Sequence, residues 1–141
     1  MATSWCSAAM ISSRTELLLL ALAVGAAGCS NPVEPACYGP ITMSVAAGAE
    51  PVFHWTGLCG ITDLTVIRTG SNEIVWQIQA ADNKNPIRDP ITYGQRPSNA
   101  TTIAVAGSLE AGAQYRVDVK ALVNNGQVAG TGTAFFTFQG P

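Results

Sequence analysis

From Tyr115 to Val123 every second residue is apolar: Tyr115, Val117, Val119, Ala121 and Val123 share one side of the alternation, and Arg116, Asp118 and Lys120 the other. A strict period of two belongs to a strand with one buried and one solvated face. A helix would need its apolar residues three or four positions apart. The same alternation, broken by turn residues, recurs in six other runs, at residues 41–46, 52–56, 61–69, 73–79, 101–106 and 128–138. Phe53 and Trp55 fall on one side of the second run, with His54 on the other. Ile74, Trp76 and Ile78 alternate against Val75, Gln77 and Gln79 in the fourth, and Ile103 and Val105 point inward in the fifth. Asn124-Asn125-Gly126 is a hairpin signal leading into the last run, whose inner face carries Ala134, Phe136 and Phe138. Seven short strands in about 100 residues predict an all-β, antiparallel two-sheet sandwich.

Ahead of these runs, Leu17 to Val24 is uncharged and apolar and continues through small residues to Gly28. About a dozen such positions fall short of the roughly 20 needed to span a bilayer and suit the core of an export signal. Arg14 is the only cation before the run and Glu16 opposes it, so Met10 is an alternative start to Met1. Removing residues 1–28 of the 141 leaves about 113, the size of one small domain.

The signal ends in Ala26-Ala27-Gly28-Cys29. This resembles the bacterial lipobox, with Ala26 where that motif usually has leucine. The resemblance implies acylation of Cys29 as the mature N-terminus, since only a thiolate takes the diacylglyceryl group. With Ser30 next, it also implies an outer-membrane address in a Gram-negative envelope. Each buried CH₂ contributes ~0.8 kcal/mol, so two or more chains would anchor the protein durably. Ordinary cleavage near Ala27, leaving Cys29 a free thiol, is the alternative. Residues 29–39, with Pro32 and Pro35 and no apolar period, read as a tether. Its first ten residues reach about 30 Å when extended.

Cys6 falls in the leader, and Cys37 and Cys59 remain for an oxidising compartment. Each lies 11 residues from Gly48 in the turn-like Ala46-Ala47-Gly48-Ala49-Glu50. Residues equidistant from a turn meet across an antiparallel pair, so Cys37 and Cys59 are expected to form a disulfide contributing roughly 3 kcal/mol. Two free buried cysteines are the competing reading.

Leu109-Glu110-Ala111-Gly112-Ala113-Gln114-Tyr115-Arg116-Val117-Asp118-Val119 resembles the corner between the fifth and sixth strands of fibronectin type III domains, and Phe53-His54-Trp55-Thr56 resembles their second-strand tryptophan motif. The resemblance implies that residues 40–141 form one sandwich with an immunoglobulin-like core of Phe53, Trp55, Trp76, Leu109, Tyr115, Val117, Val119 and Phe136. In it the Tyr115 hydroxyl would return to the backbone a few residues upstream. Two departures stand out: the cysteine pair, and a long proline-rich stretch at residues 82–99.

That stretch is the main functional candidate, because loops longer than about 12 to 15 residues without regular structure are uncommon unless functional or mobile. Arg88, Tyr93 and Arg96 are residue types that dominate binding hot spots. The opposing reading is that Ile87, Ile91 and Tyr93 cover an open sheet edge. Trp55 and Trp76 read as core against a ligand-stacking platform, His54 as a surface residue, and Phe135 as an outward contact point. The match to a glycosylation acceptor at Asn99-Ala100-Thr101 reads as chance in the bacterial host that the lipobox resemblance implies.

Scattered Lys and Arg and a net charge of −2 argue against nucleic acid. Separated carboxylates and a single histidine argue against an enzyme, a metal and a cofactor. The expectation is a non-catalytic envelope lipoprotein, held to the membrane by its lipid and serving as an adhesion, interaction or accessory module for a protein partner. The alternative is a receptor for a carbohydrate or small molecule, using residues 82–99.

Overall fold

The computed structural model describes residues 38–57 and 60–141. The expected acylation of Cys29 and the Cys37 to Cys59 disulfide lie outside these residues. The described chain is all-β, with eight strands: β1 (Thr42–Ala46), β2 (Val52–Thr56), β3 (Asp63–Arg68), β4 (Glu73–Ala80), β5 (Ile91–Thr92), β6 (Ala100–Ala104), β7 (Gln114–Leu122) and β8 (Val128–Thr137). They form a three-stranded sheet, β1-β2-β5, and a five-stranded sheet, β6-β4-β3-β7-β8. Every pairing between named strands is antiparallel.

The core lies between the sheets, where the period-two pattern puts it. Tyr115, Val117, Val119 and Ala121 of β7 are buried, as are Phe53 and Trp55 of β2, Leu64 and Val66 of β3, and Phe136 of β8. Aromatic rings link the two layers. Phe53, from the smaller sheet, stacks on Trp76 at 6.1 Å and meets Phe136 at 5.8 Å, and Phe136 stacks on Tyr115 at 5.4 Å. Such pairs each add about 0.5–1.5 kcal/mol beyond the area they bury.

At the turn into β7, the fully buried Tyr115 places its hydroxyl oxygen 2.9 Å from the Glu110 N–H, which donates to it. The Glu110 carboxylate in turn pairs with Arg68. The Tyr115 hydroxyl first, then Glu110, holds that guanidinium above its already high range. The corner thereby ties the end of β3 to the start of β7. Leu109 is partly buried against the core.

Three features correct the sequence reading. The seven expected strands are eight, because Ile91 and Thr92, inside the long 82–99 stretch, pair with Phe53 and Val52 of β2. Second, the fifth expected strand, β6, lies beside β4 at the margin of the larger sheet, with Ile103 and Val105 exposed rather than inward. Its inner side carries Ala100, Thr102, Ala104 and Ala106, small enough to admit the 82–99 stretch beneath it; a Cβ on Gly94 would lie 3.4 Å from the Ala106 methyl. Third, Ile74 is exposed while Val75 and Trp76 are both buried, because a β-bulge between Val66 and Ile67 shifts the β3–β4 register there. An extra residue in one strand reverses the alternation beyond it.

The chain entering β1 also runs beside β8. Gly39 N–H donates to Ala129 C=O and Ile41 N–H to Thr131 C=O, each at 3.0 Å, in parallel order. Gly39, assigned to the tether by sequence, is thus already bonded to the sandwich. Glycine is required at Gly130, where a Cβ would overlap the Gly39 carbonyl oxygen, and at Gly132, where it would crowd Ile41.

Candidate functional site

Residues 82–99 cross the open side of the sandwich, and their own hydrogen bonds shape them. The Asp82 carboxylate accepts the Lys84 N–H at 2.9 Å, and the Asn99 amide donates to the Asn85 and Pro86 carbonyls at 3.0 Å, closing the base of the stretch. Ile87 and Ile61, both fully buried, exchange backbone bonds of 2.8 and 3.0 Å. The approach is so close that a Cβ on Gly60 would overlap the Ile87 carbonyl oxygen. Asp89, before the cis Pro90, accepts the Trp55 N–H at 2.8 Å. His54 Nδ1 lies 3.5 Å from the same oxygen, with both side chains partly exposed.

The three candidate binding residues are placed differently from one another. Tyr93 turns inward: its ring meets Trp76 edge-on at 5.3 Å, and its hydroxyl donates to the Gly107 C=O at 2.8 Å, with the Val75 C=O at 3.2 Å. Burial pushes its pKa up to about 12. The hydroxyl proton is engaged by the Gly107 carbonyl and is not offered to a ligand. Arg96 is exposed, but its Nη1 donates to the Ala100 C=O at 3.2 Å, at the start of β6. Arg88 is exposed beside the buried Ile87. The stretch therefore spends its apolar residues and its tyrosine on the core and leaves two guanidinium groups toward solvent. Trp55 and Trp76 are buried, and Phe135 stands out from β8 at 59% exposure.

A second feature, on the outer face of the five-stranded sheet, did not emerge from sequence reasoning. A shallow hollow there is lined by Asp63, Thr65, Gln77, Asp118, Lys120, Thr131 and Thr133, with Gly132 in its floor. The register explains the convergence: Asp63 lies across from Lys120, which lies across from Thr131, and Thr65, Asp118 and Thr133 form the adjacent row. Asp118 accepts Arg116 Nε and Thr133 Oγ1, both at 2.9 Å, and Lys120 Nζ lies 3.9 Å from Asp63. These groups already answer one another, so the hollow is a pre-set polar surface of donors and acceptors. Its signal in the sequence was the polar half of each alternating run, which becomes a site only once four strands are in register. Among the described residues no three His, Cys, Asp or Glu side chains converge as metal ligands.

Comparison with protein-family models, curated proteins and solved structures returned no match to this chain.

Proposed function

We propose that this chain is a non-catalytic lipoprotein of the cell envelope, held by acyl groups on Cys29 and serving as an interaction or accessory module for a protein partner. The sandwich is read as fibronectin type III-like or immunoglobulin-like. Support for that finer reading comes from the Tyr115 to Glu110 corner and from the division of strands between the sheets. β6 departs from the pattern, because it follows the β2-paired β5 in the chain yet joins the opposite sheet.

One observation supports the module reading above the others: the long stretch that was the candidate binding loop is consumed in closing the core, with Ile87 and Ile91 inside it. What remains for partners is broad sheet surface. Surface of that shape suits association with another macromolecule better than enclosure of a substrate.

The test is direct. Mass spectrometry of the native protein should find diacylglyceryl and acyl mass on Cys29, and Cys29→Ala should release the protein from the membrane fraction. Unmodified Cys29, or a variant that still sediments with membranes, would refute the anchoring. Capture of the lipidated protein from its envelope should then bring down a stoichiometric protein partner.

A receptor role is a second reading, and the polar hollow rather than residues 82–99 favours it. Saturable binding of a sugar, lost on Lys120→Ala and kept on Arg88→Ala, would establish it.

A further inference from the structure

Strand direction divides the charge of this sandwich between its two ends. β1, β3 and β8 start at the end where the chain enters, and β2, β4 and β7 finish there: Thr42 lies across from Thr56, Asp63 from Gln79 and Lys120, and Leu122 from Val128. At the far end, the turns leading into β2, β4 and β7 carry Glu50, Glu73 and Glu110, with Arg68 as their counter-charge. Arg116, the next cation, is spent on Asp118. Toward the entry end the charges balance, Lys84, Arg88 and Lys120 being matched by Asp82, Asp89 and Asp63.

The β8 side of the entry end has no charge at all, since residues 38–49 and 121–131 contain no Asp, Glu, Lys or Arg. It exposes two larger side chains, Tyr38 at 58% and Val128 at 56%. Each immediately precedes one partner of the bond from Gly39 N–H to Ala129 C=O, so they occupy neighbouring positions where the chain enters. The half-buried Leu122 lies across from Val128.

We propose that this end of the sandwich seats on the lipid surface that holds Cys29, with Tyr38 and Val128 entering the headgroup region and the glutamate-bearing end turned away. The proposal rests on the acylated-lipoprotein reading and adds which way the domain faces. Three observations favour lipid as the occupant. Only eight residues separate Cys29 from Tyr38, so Tyr38 stays within about 30 Å of the acyl group. Tyrosine settles at headgroup level, where its ring meets the apolar side and its hydroxyl stays wet. An anionic leaflet repels the end that carries Glu50, Glu73 and Glu110 and meets no net charge at the other.

Two side chains are too few to hold the protein on a membrane unaided, which agrees with the release expected of Cys29→Ala. An anchored domain, however, meets the surface at high effective concentration, and there a small preference decides orientation. The far end is thereby left facing the compartment, open to a partner.

The experiment uses the native lipidated protein in vesicles of phosphatidylethanolamine and phosphatidylglycerol, some of whose headgroups carry a nitroxide quencher. Flotation with the vesicles reads the anchor. Tryptophan fluorescence reads the seating, against a constant background from the buried Trp55 and Trp76. Tyr38→Trp should lose emission on the labelled vesicles and shift to the blue, whereas Phe135→Trp, toward the far end, should lose none. Adding Val128→Glu to Tyr38→Trp should abolish both the loss and the shift while flotation persists. All three altered positions are more than half exposed, so the variants should fold, as circular dichroism would verify. A Tyr38→Trp protein that floats yet loses no emission leaves this surface to a protein partner and overturns the proposal. Quenching that survives Val128→Glu reports the tether alone and also overturns it. A protein that does not float refutes the anchoring and the seating together, so the two kinds of failure are distinguishable.

Discussion

Tyr93 shows how a residue type suited to binding can be claimed by the fold. Its hydroxyl is bonded to the Gly107 carbonyl and its ring lies against Trp76, and burial lifts its pKa from 10 to about 12. A tyrosine whose folded pKa is raised holds its proton more tightly when folded. It therefore contributes stability in full below pH 10, and loses that contribution as pH rises toward about 12. Tyr93→Phe should remove this alkaline dependence and cost about 1 kcal/mol at pH 7, the usual worth of one such bond. Denaturant melts at pH 7 and pH 11 check both parts. Period-two reading across β5 carried the signal, since Ile91 is buried and Tyr93, two residues on, faces the same way. Hot-spot composition drew attention to Tyr93, but composition carries no direction.

At the scale of elements, what was legible followed from unbroken alternation. β7 runs nine residues with alternate positions buried, and the all-β, two-layer architecture follows from repeating that pattern along the chain. What was not legible came from single-residue shifts and long-range cover. The bulge at Val66 and Ile67 turned Ile74 outward, and no propensity marks where such a residue falls. β6 was read with its larger residues inward, yet the inner side holds the smaller ones, with the preceding 82–99 stretch packed beneath them. The hollow on the outer face was equally hidden, since Asp63, Asp118 and Thr133 are brought together only by register. Glycines reveal such close approaches after the fact. Gly60→Ala should force Ile87 away from Ile61 and destabilise the domain by about 1–3 kcal/mol, as overpacking usually does. Hydrogen exchange at the Ile61 and Ile87 amides should rise more than at Val117.

At the scale of the whole molecule, the two sheets depend on few anchors. Phe53 is fully buried and touches rings from both β4 and β8. Phe53→Ala should cost about 3–5 kcal/mol, the range for deleting a buried ring. A domain of this size commonly has only about 5–15 kcal/mol in total. Thermal melting should therefore show a large fall in midpoint, whereas Phe135→Ala, exposed on β8, should stay within about 0.5 kcal/mol of the parent. Strand directions also sort the molecule's ends: Thr42 at the start of β1 lies across from Thr56, while Ile74 and Phe135 sit toward the opposite end, where β4 begins and β8 finishes.

The parallel bonds from Gly39 and Ile41 to β8 have a mechanical consequence. Traction arriving through the residues ahead of Tyr38 would not peel β1 away one bond at a time. It would load the Gly39 and Ile41 bonds to β8 and the β1–β2 ladder together, lengthwise, so that they share the force and yield at once. Resistance of that kind is set by the unfolding rate rather than by equilibrium stability. Gly130→Val, whose side chain would force Gly39 off β8, should destabilise the domain by about 1–3 kcal/mol, as overpacking usually does, and should give way at a markedly lower pull in a single-molecule trap.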